Sequence, residues 1–263
     1  MTEVLSDATF KLQKWNASEK ELEEDCNVRE DLEGRSQTFA KQQLNVKSSD
    51  SKLLGLGWDK ESDTLTVTFP HESLSTTSGI LGKLARIYDP LGLVSPITVQ
   101  GKMIYREVCD AKWPWDAQIE GGLADRWKVW EESLPVGETV PRSLAPHHEE
   151  IKSMSLHAFG DASNKGVCAT VYAVVEQPSG TTQTLVAAKS RLAKKGLTIP
   201  RLELIKAHMA TNLISNVHEA LDNGSVIHLH CWLDSTVVLY WLQDKGDFKQ
   251  FVANRVNTES QRY

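Results

Sequence analysis

Cysteine is scarce in this sequence. Four residues (Cys26, Cys109, Cys168, Cys231) are spread over 263 positions, and no two form a C-x-x-C pair. That spacing argues against a disulfide scaffold and a zinc ribbon, and it fits a reducing compartment. No run of about 18 apolar residues occurs, so no segment reads as spanning a membrane. Met1 to Lys14 has no apolar h-region, so no secretory signal is expected. Basic residues are not in excess either: 29 Lys and Arg face 35 Asp and Glu, for a net charge of −6. An acidic whole is a poor advertisement for a nucleic-acid binder, because phosphate contacts supply most of the affinity in such proteins. The expected location is intracellular, in the cytoplasm. What is present is ordinary globular composition, 40% apolar and 24% charged, which excludes collagen-like, mucin-like and wholly disordered chains.

The charge is uneven. Residues 1–150 sum to −9 and residues 151–263 to +3. In the first part, Phe10-Lys-Leu-Gln-Lys-Trp15 alternates like a short strand. Ser18-Glu-Lys-Glu21 has capping-box spacing and opens an acidic stretch to Glu33, and residues 41–52 read as a linker. Leu53 to Trp58 and Thr64 to Phe69 flank a five-residue polar connection and predict a β-hairpin. Helical spacing runs from Ser78 to Ile87 and again from Ile97 to Cys109, with a Pro/Gly break at Tyr88-Asp-Pro-Leu-Gly-Leu-Val-Ser-Pro96 between them. Trp127 and Trp130, three apart on a third helix, suit a core better than a base-stacking platform. Pro135, Pro141 and Pro146 mark an expected boundary between two domains, 1–150 and 151–263.

Past residue 151 the pattern sharpens. Met154–Gly160, Val167–Val175 and Thr184–Ala188 read as three strands joined by hairpin turns, hence antiparallel. Pro200 opens a helix striped by Leu202, Ile205, Met209, Leu213, Val217 and Leu221, and Asn223-Gly224 closes it. Val226–Leu233 is a fourth strand and Ser235–Leu242 a short helix. This order predicts an α/β domain with a mixed sheet: antiparallel hairpins plus one parallel strand reached by the crossover helix.

Three acids fall at element ends in this half. Asp161 ends the first strand, Glu203 lies in the first turn of the long helix, and Asp234 ends the fourth strand. With strands one and four side by side, the three converge at the carboxyl edge, where open α/β sheets build sites. Crowded carboxylates repel one another unless a cation holds them, and hard oxygen donors select Mg²⁺ or Mn²⁺. Two such ions about 4 Å apart would serve phosphodiester hydrolysis. Each acid also has a plainer reading: Asp161 as a turn former, Glu203 as a partner of the helix dipole, Asp234 as the cap of the last helix.

His157-Ala-Phe-Gly-Asp-Ala-Ser163, Ile199-Pro-Arg-Leu-Glu-Leu204 and Cys231-Trp-Leu-Asp-Ser-Thr236 resemble the first three acidic motifs of a ribonuclease H domain, in the version found in BEL/Pao-type LTR retrotransposon polyproteins. Upstream, Phe10–Trp15, Leu54-Gly-Leu-Gly-Trp58-Asp59 and Tyr88–Pro96 resemble the same polyproteins. The resemblance runs in order from about Phe10 to Asn257. It implies a ribonuclease H-like domain at 151–263 that lacks its C-terminal elements. Before it would stand a smaller α+β remnant at 1–150: the truncated end of a reverse-transcriptase palm, a hairpin and a helical thumb/connection. It implies that Asp161, Glu203 and Asp234 bind two Mg²⁺ (or Mn²⁺) ions that cleave the RNA strand of an RNA–DNA hybrid. The hybrid would be recognised by shape and 2′-hydroxyls, and Ser163, Asn164 and Arg201 would touch its backbone. The implied partners are that hybrid and the remainder of the reverse-transcriptase polyprotein, with no membrane.

The departures are as informative. Asp244, Asp247 and Glu259 are the only later acids, and none sits in a recognisable fourth motif. The paired aspartates of a polymerase turn are missing too. Weak or absent nuclease activity is therefore expected, together with an apolar face exposed where further elements would cover the sheet. Three rivals stand beside this reading. His228, His230 and Asp234 share strand parity and suggest a zinc hydrolase. An aspartic peptidase is disfavoured, because neither Asp161 nor Asp234 is followed by the glycine its turn needs. The third rival is a non-catalytic module that binds nucleic acid or docks a partner.

Overall fold

The computed structural model describes residues 51–53, 55–73, 75–221, 228–243 and 252. The strand expected at 10–15, the acidic stretch 18–33, the linker up to residue 50, the helix stop at 223–224 and the late acids 244, 247 and 259 lie outside these. The described residues fall into two compact units. One comprises residues up to Thr66 with Thr139–Arg142, the other Val67–Glu138 with residues from Ser143 onward. Among the described residues no helix is long and apolar enough to cross a membrane.

The smaller sheet has the order β1 (Ser51–Leu53), β2 (Leu56–Asp59), β3 (Thr64–Thr68), β4 (Gly137–Pro141). The hairpin expected from sequence is β2 against β3, with Trp58 opposite Leu65. The run expected as one strand from Leu53 is instead folded on itself: Leu53 pairs with Leu56. Gly55 at φ 85° makes that reversal, a conformation open to glycine at little cost. Trp58 is buried and donates its indole N–H to Asp63 Oδ1 at 3.0 Å. Arg142 grips Asp63 with two donors, at 2.5 and 2.9 Å, and lies 5.4 Å over the Trp58 ring. One carboxylate thus ties β4's end to the hairpin turn by a planar, two-pronged pair.

The larger unit begins with three helices, α1 (Thr77–Arg86), α2 (Ser95–Asp110) and α3 (Gly121–Glu132). Thr76 caps α1 by accepting the Gly79 N–H at 3.0 Å. In the Pro/Gly break, the Asp89 carboxylate accepts the Leu93 and Val94 amides at 2.8 and 2.9 Å, which turns the chain into α2. Trp127 and Trp130 are core residues, ring centroids 4.7 Å apart, and Trp130 donates to the Ile97 carbonyl at 3.1 Å. In the same unit Lys83 is buried and paired with Glu131 at 2.9 Å.

The second sheet is mixed. Its order is β7 (Gly180–Leu192), β6 (Gly166–Gln177), β5 (Ser153–Ala162), β8 (His228–Trp232). β5–β6 and β6–β7 are antiparallel, while β5–β8 is parallel. Between β7 and β8 runs the crossover helix α4 (Ile199–Ala220), and α5 (Thr236–Gln243) follows β8. Met154, Leu156 and Ala158 of β5 and alternate residues Val167 to Val175 of β6 pack against Leu202, Met209, Leu213 and Val217 of α4. The predicted stripe therefore faces the sheet. A second side of α4 is also covered: Leu204 and Ala207 form a small core with Val238 of α5. α4 is buried over two sides, which a single stripe does not foretell.

The loop before α2 seals one edge of this sheet. The Ala188 amide of β7 donates to the Leu91 carbonyl at 2.7 Å, and Gly92 follows at φ +75°. A Cβ on Gly92 would stand 1.9 Å from the Ala188 carbonyl oxygen. Gly92→Ala therefore combines left-handed strain with a backbone clash and should cost about 2–3 kcal/mol. Urea unfolding checks this against Gly122→Ala, where the added methyl meets nothing within 4 Å.

Candidate active site at the carboxyl edge of β5 and β8

Parallel pairing of Ser155–Phe159 with His228–Trp232 sets the ends of β5 and β8 side by side. Asp161 sits opposite Cys168 near the end of β5. Its side chain is exposed, and Oδ1 accepts the Ala162 N–H at 2.8 Å. Glu203 is the fifth residue of α4, one beyond the first turn, because the helix begins at Ile199, earlier than the acid's expected place required. Asp234 lies two residues past the end of β8, in the connection to α5. It does not cap that helix: Ser235 Oγ accepts the Val238 amide at 3.4 Å. The Asp234 side chain turns to α4 instead.

The residue that organises this edge is Lys206, which the sequence reading passed over. Its side chain is 0% exposed, yet its Nζ lies 2.6 Å from Glu203 Oε2 and is bonded to Asp234 Oδ1. The signal was present in the sequence as an i, i+3 Glu–Lys pair on α4. Lys206 lies against β5, where a Cβ on Gly160 would lie 3.4 Å from the Lys206 carbonyl oxygen and 3.5 Å from Cγ, ordinary contact distances. α4 thus packs directly against β5 at the residue just before Asp161. Glu203 Oε2 is itself buried and, though beside the ammonium, lies off the direction of a hydrogen bond.

The electrostatics follow. Burial works against the Lys206 charge, but the carboxylates of Asp234 and Glu203 outweigh it and hold the ammonium's pKa above its ordinary value. The hydrogen bond and charge of Lys206 in turn hold Asp234 below the usual carboxylate range. Cys168, across from Asp161, is pushed up by burial and then by the Asp161 charge.

The structure brings Glu203 and Asp234 onto one ammonium and sets Asp161 one residue from the glycine beneath it. Among the described residues no three His, Cys, Asp or Glu side chains are gathered closely enough to hold a metal ion. That statement covers the set of His228, His230 and Asp234 as well. The donor chemistry nevertheless fits a hard cation, since all three are carboxylates and one buried oxygen lacks an aligned donor. Ser163 is exposed and braces the β5–β6 turn, its Oγ accepting the Lys165 and Gly166 amides at 3.2 Å each. Asn164 in the same turn and Arg201 in the first turn of α4 are also exposed.

On the other face of the sheet a row of rings lies open. His157 stacks on His230 at 4.7 Å, Phe159 lies 6.3 Å from Trp232, and Phe159 meets Tyr172 edge-on at 6.0 Å. Trp232 donates to His157 Nδ1 at 3.1 Å. Burial, then the neighbouring His230, lowers the His157 pKa. Sequence parity had set His228 and His230 on one face, yet every residue of β8 is exposed.

The family described as Pao retrotransposon-like RNaseH-like domain matches residues 76–235, more than half of the chain. The chain belongs to this family. The match takes in α1 to α3 as well as the mixed sheet, α4 and Asp161, Glu203 and Asp234. No curated protein matches the chain. Among solved structures, one titled as the foamy viral protease-reverse transcriptase dRH in complex with ds DNA is similar at 14% identity and a TM-score of 0.38. The similarity covers 80% of this chain and 36% of that one, so this Pao-type chain spans about a third of that protein's length.

A depressed carboxylate pKa stabilises the folded state above the unfolded carboxylate value and ceases to do so as pH falls through the folded one. The stability difference between this protein and its Asp234→Asn variant should therefore be present near neutral pH and vanish as pH drops below the usual carboxylate range. Paired urea titrations at pH 7 and in acid read this directly.

Proposed function

We propose that this domain is the ribonuclease H-like module of a Pao-type retroelement polyprotein and that it acts on RNA–DNA hybrids. One observation carries the reading: within the family match, Glu203 and Asp234 share one buried cation at the carboxyl edge of two adjacent parallel strands, with Asp161 at the end of one of them. That edge is where open α/β sheets place their chemistry.

Asp161, Glu203 and Asp234 would hold Mg²⁺ or Mn²⁺ in the parent polyprotein. A bound divalent ion would supply Lewis acidity at the scissile phosphate and toward an attacking water. The chain's own residues do the positioning. Glu203 is fixed by α4, Asp161 by its place in the β5–β6 ladder, and Asp234 by its bond to Lys206 across the sheet edge. Ser163, Asn164 and Arg201, exposed around this edge, reach toward the backbone of a bound hybrid.

The open ring row of His157, Phe159, Tyr172 and Trp232 favours a second reading, a binding module without turnover, because exposed aromatics stack on unpaired bases. A labelled RNA–DNA hybrid, incubated with the chain and Mg²⁺ at fixed salt, separates the two. The expected result is hybrid retention in a gel shift with slow RNA cleavage that Asp161→Asn abolishes. Retention with no cleavage, unchanged by Asp161→Asn, supports the binding module. Neither retention nor cleavage overturns both.

A further inference from the structure

The carboxyl-edge site carries a positive charge of its own. Lys206 lies inside the acidic set rather than at its rim: its side chain is wholly buried and its ammonium contacts carboxylates from two different elements, α4 and the β8–α5 connection. The charge inventory is simple. Glu203 and Asp234 bring two negative charges to the ammonium and Lys206 returns one positive, leaving a net of one, while Asp161 stands exposed at the end of the neighbouring strand. One divalent ion already more than neutralises that remainder, and a second would add a further two positive charges beside a buried ammonium. Two cations a few ångströms apart in a partly desolvated pocket repel strongly. The ammonium cannot simply swing away. Its backbone carbonyl and the start of its stem lie against Gly160 of β5.

We infer that Lys206 acts as a built-in cation, standing between Glu203 and Asp234 and restricting the site to a single, weakly held divalent ion. This rests on the reading of Asp161, Glu203 and Asp234 as metal ligands and deepens it. Lys206 holds Glu203 and Asp234 together without metal, and the same residue competes with a metal for them. Such a site keeps its shape through folding and loses most of its capacity for two-metal chemistry. Glu203 Oε2, buried and 2.6 Å from the ammonium, is the oxygen for which an incoming ion and Lys206 compete.

The test is Mn²⁺ binding to the full chain, followed by the paramagnetic resonance signal of free Mn²⁺ and by calorimetry, in the wild type and in Lys206→Met. The expected result is at most one ion on the wild type. Lys206→Met, which keeps the stem and removes the charge, should bind at least about tenfold more tightly, because a like charge has left the site. Adding Glu203→Gln to Lys206→Met should cancel the gain. Two ions on the wild type, or a folded Lys206→Met with unchanged affinity, overturns the inference. Circular dichroism establishes folding, and should Lys206→Met fail to fold, Lys206→Gln is judged by the same outcomes. Hybrid cleavage, measured in parallel, keeps the two proposals apart. A gain in Mn²⁺ affinity without hybrid binding or cleavage sinks the nuclease reading and leaves the built-in cation standing. Brisk cleavage by a wild type holding two ions does the reverse.

Discussion

A lysine ammonium removed from water must find its charge answered within hydrogen-bonding reach, and in this protein Lys206 finds two carboxylates. An unpaired buried charge would cost several kcal/mol, so the arrangement of α4, β8 and α5 is conditional on this contact. Glu203 comes from the same helix and is supplied by local geometry. Asp234 comes from a connection that reaches α4 only because β8 lies beside β5 in parallel register. The ion triad is thus a lock on the crossover, holding the fourth strand's exit against the helix that delivered the chain to it.

The same contact explains why the edge holds acids at all. Carboxylates gathered at a sheet edge repel one another and destabilise the fold unless a cation intervenes. In a two-metal site that cation comes from solution, which makes the folded geometry depend on the ion. Here part of the compensation is covalently attached.

Beyond the edge, the larger unit is built by close approach. Gly101 leaves room for the Trp130 ring and Leu84, and Gly92 lets the loop before α2 bond to β7. The family match begins at residue 76, which agrees with the compact unit that joins α1 to α3 with the mixed sheet. Helices that sequence pattern alone groups with the hairpin upstream are therefore packed into the same body as the sheet.

Local pattern sufficed to read the strand and helix order from 153 to 243, the antiparallel hairpins, the parallel fourth strand and the sheet-facing stripe of α4. Alternation, turn residues and the i, i+3/i+4 repeat are local signals, readable without knowing what lies across the sheet. It also marked Asp161, Glu203 and Asp234, because acids at element ends stand out against apolar runs. It did not reveal Lys206, which reads as a solvent-facing helix lysine until α5 and β5 close around it. Nor did it reveal that Ser235, not Asp234, caps the last helix, or that the run from Leu53 folds back at Gly55. Those outcomes depend on which groups meet across long separations in the chain, and local pattern carries no record of such meetings. Only the packed structure could decide where a buried charge would find its partners.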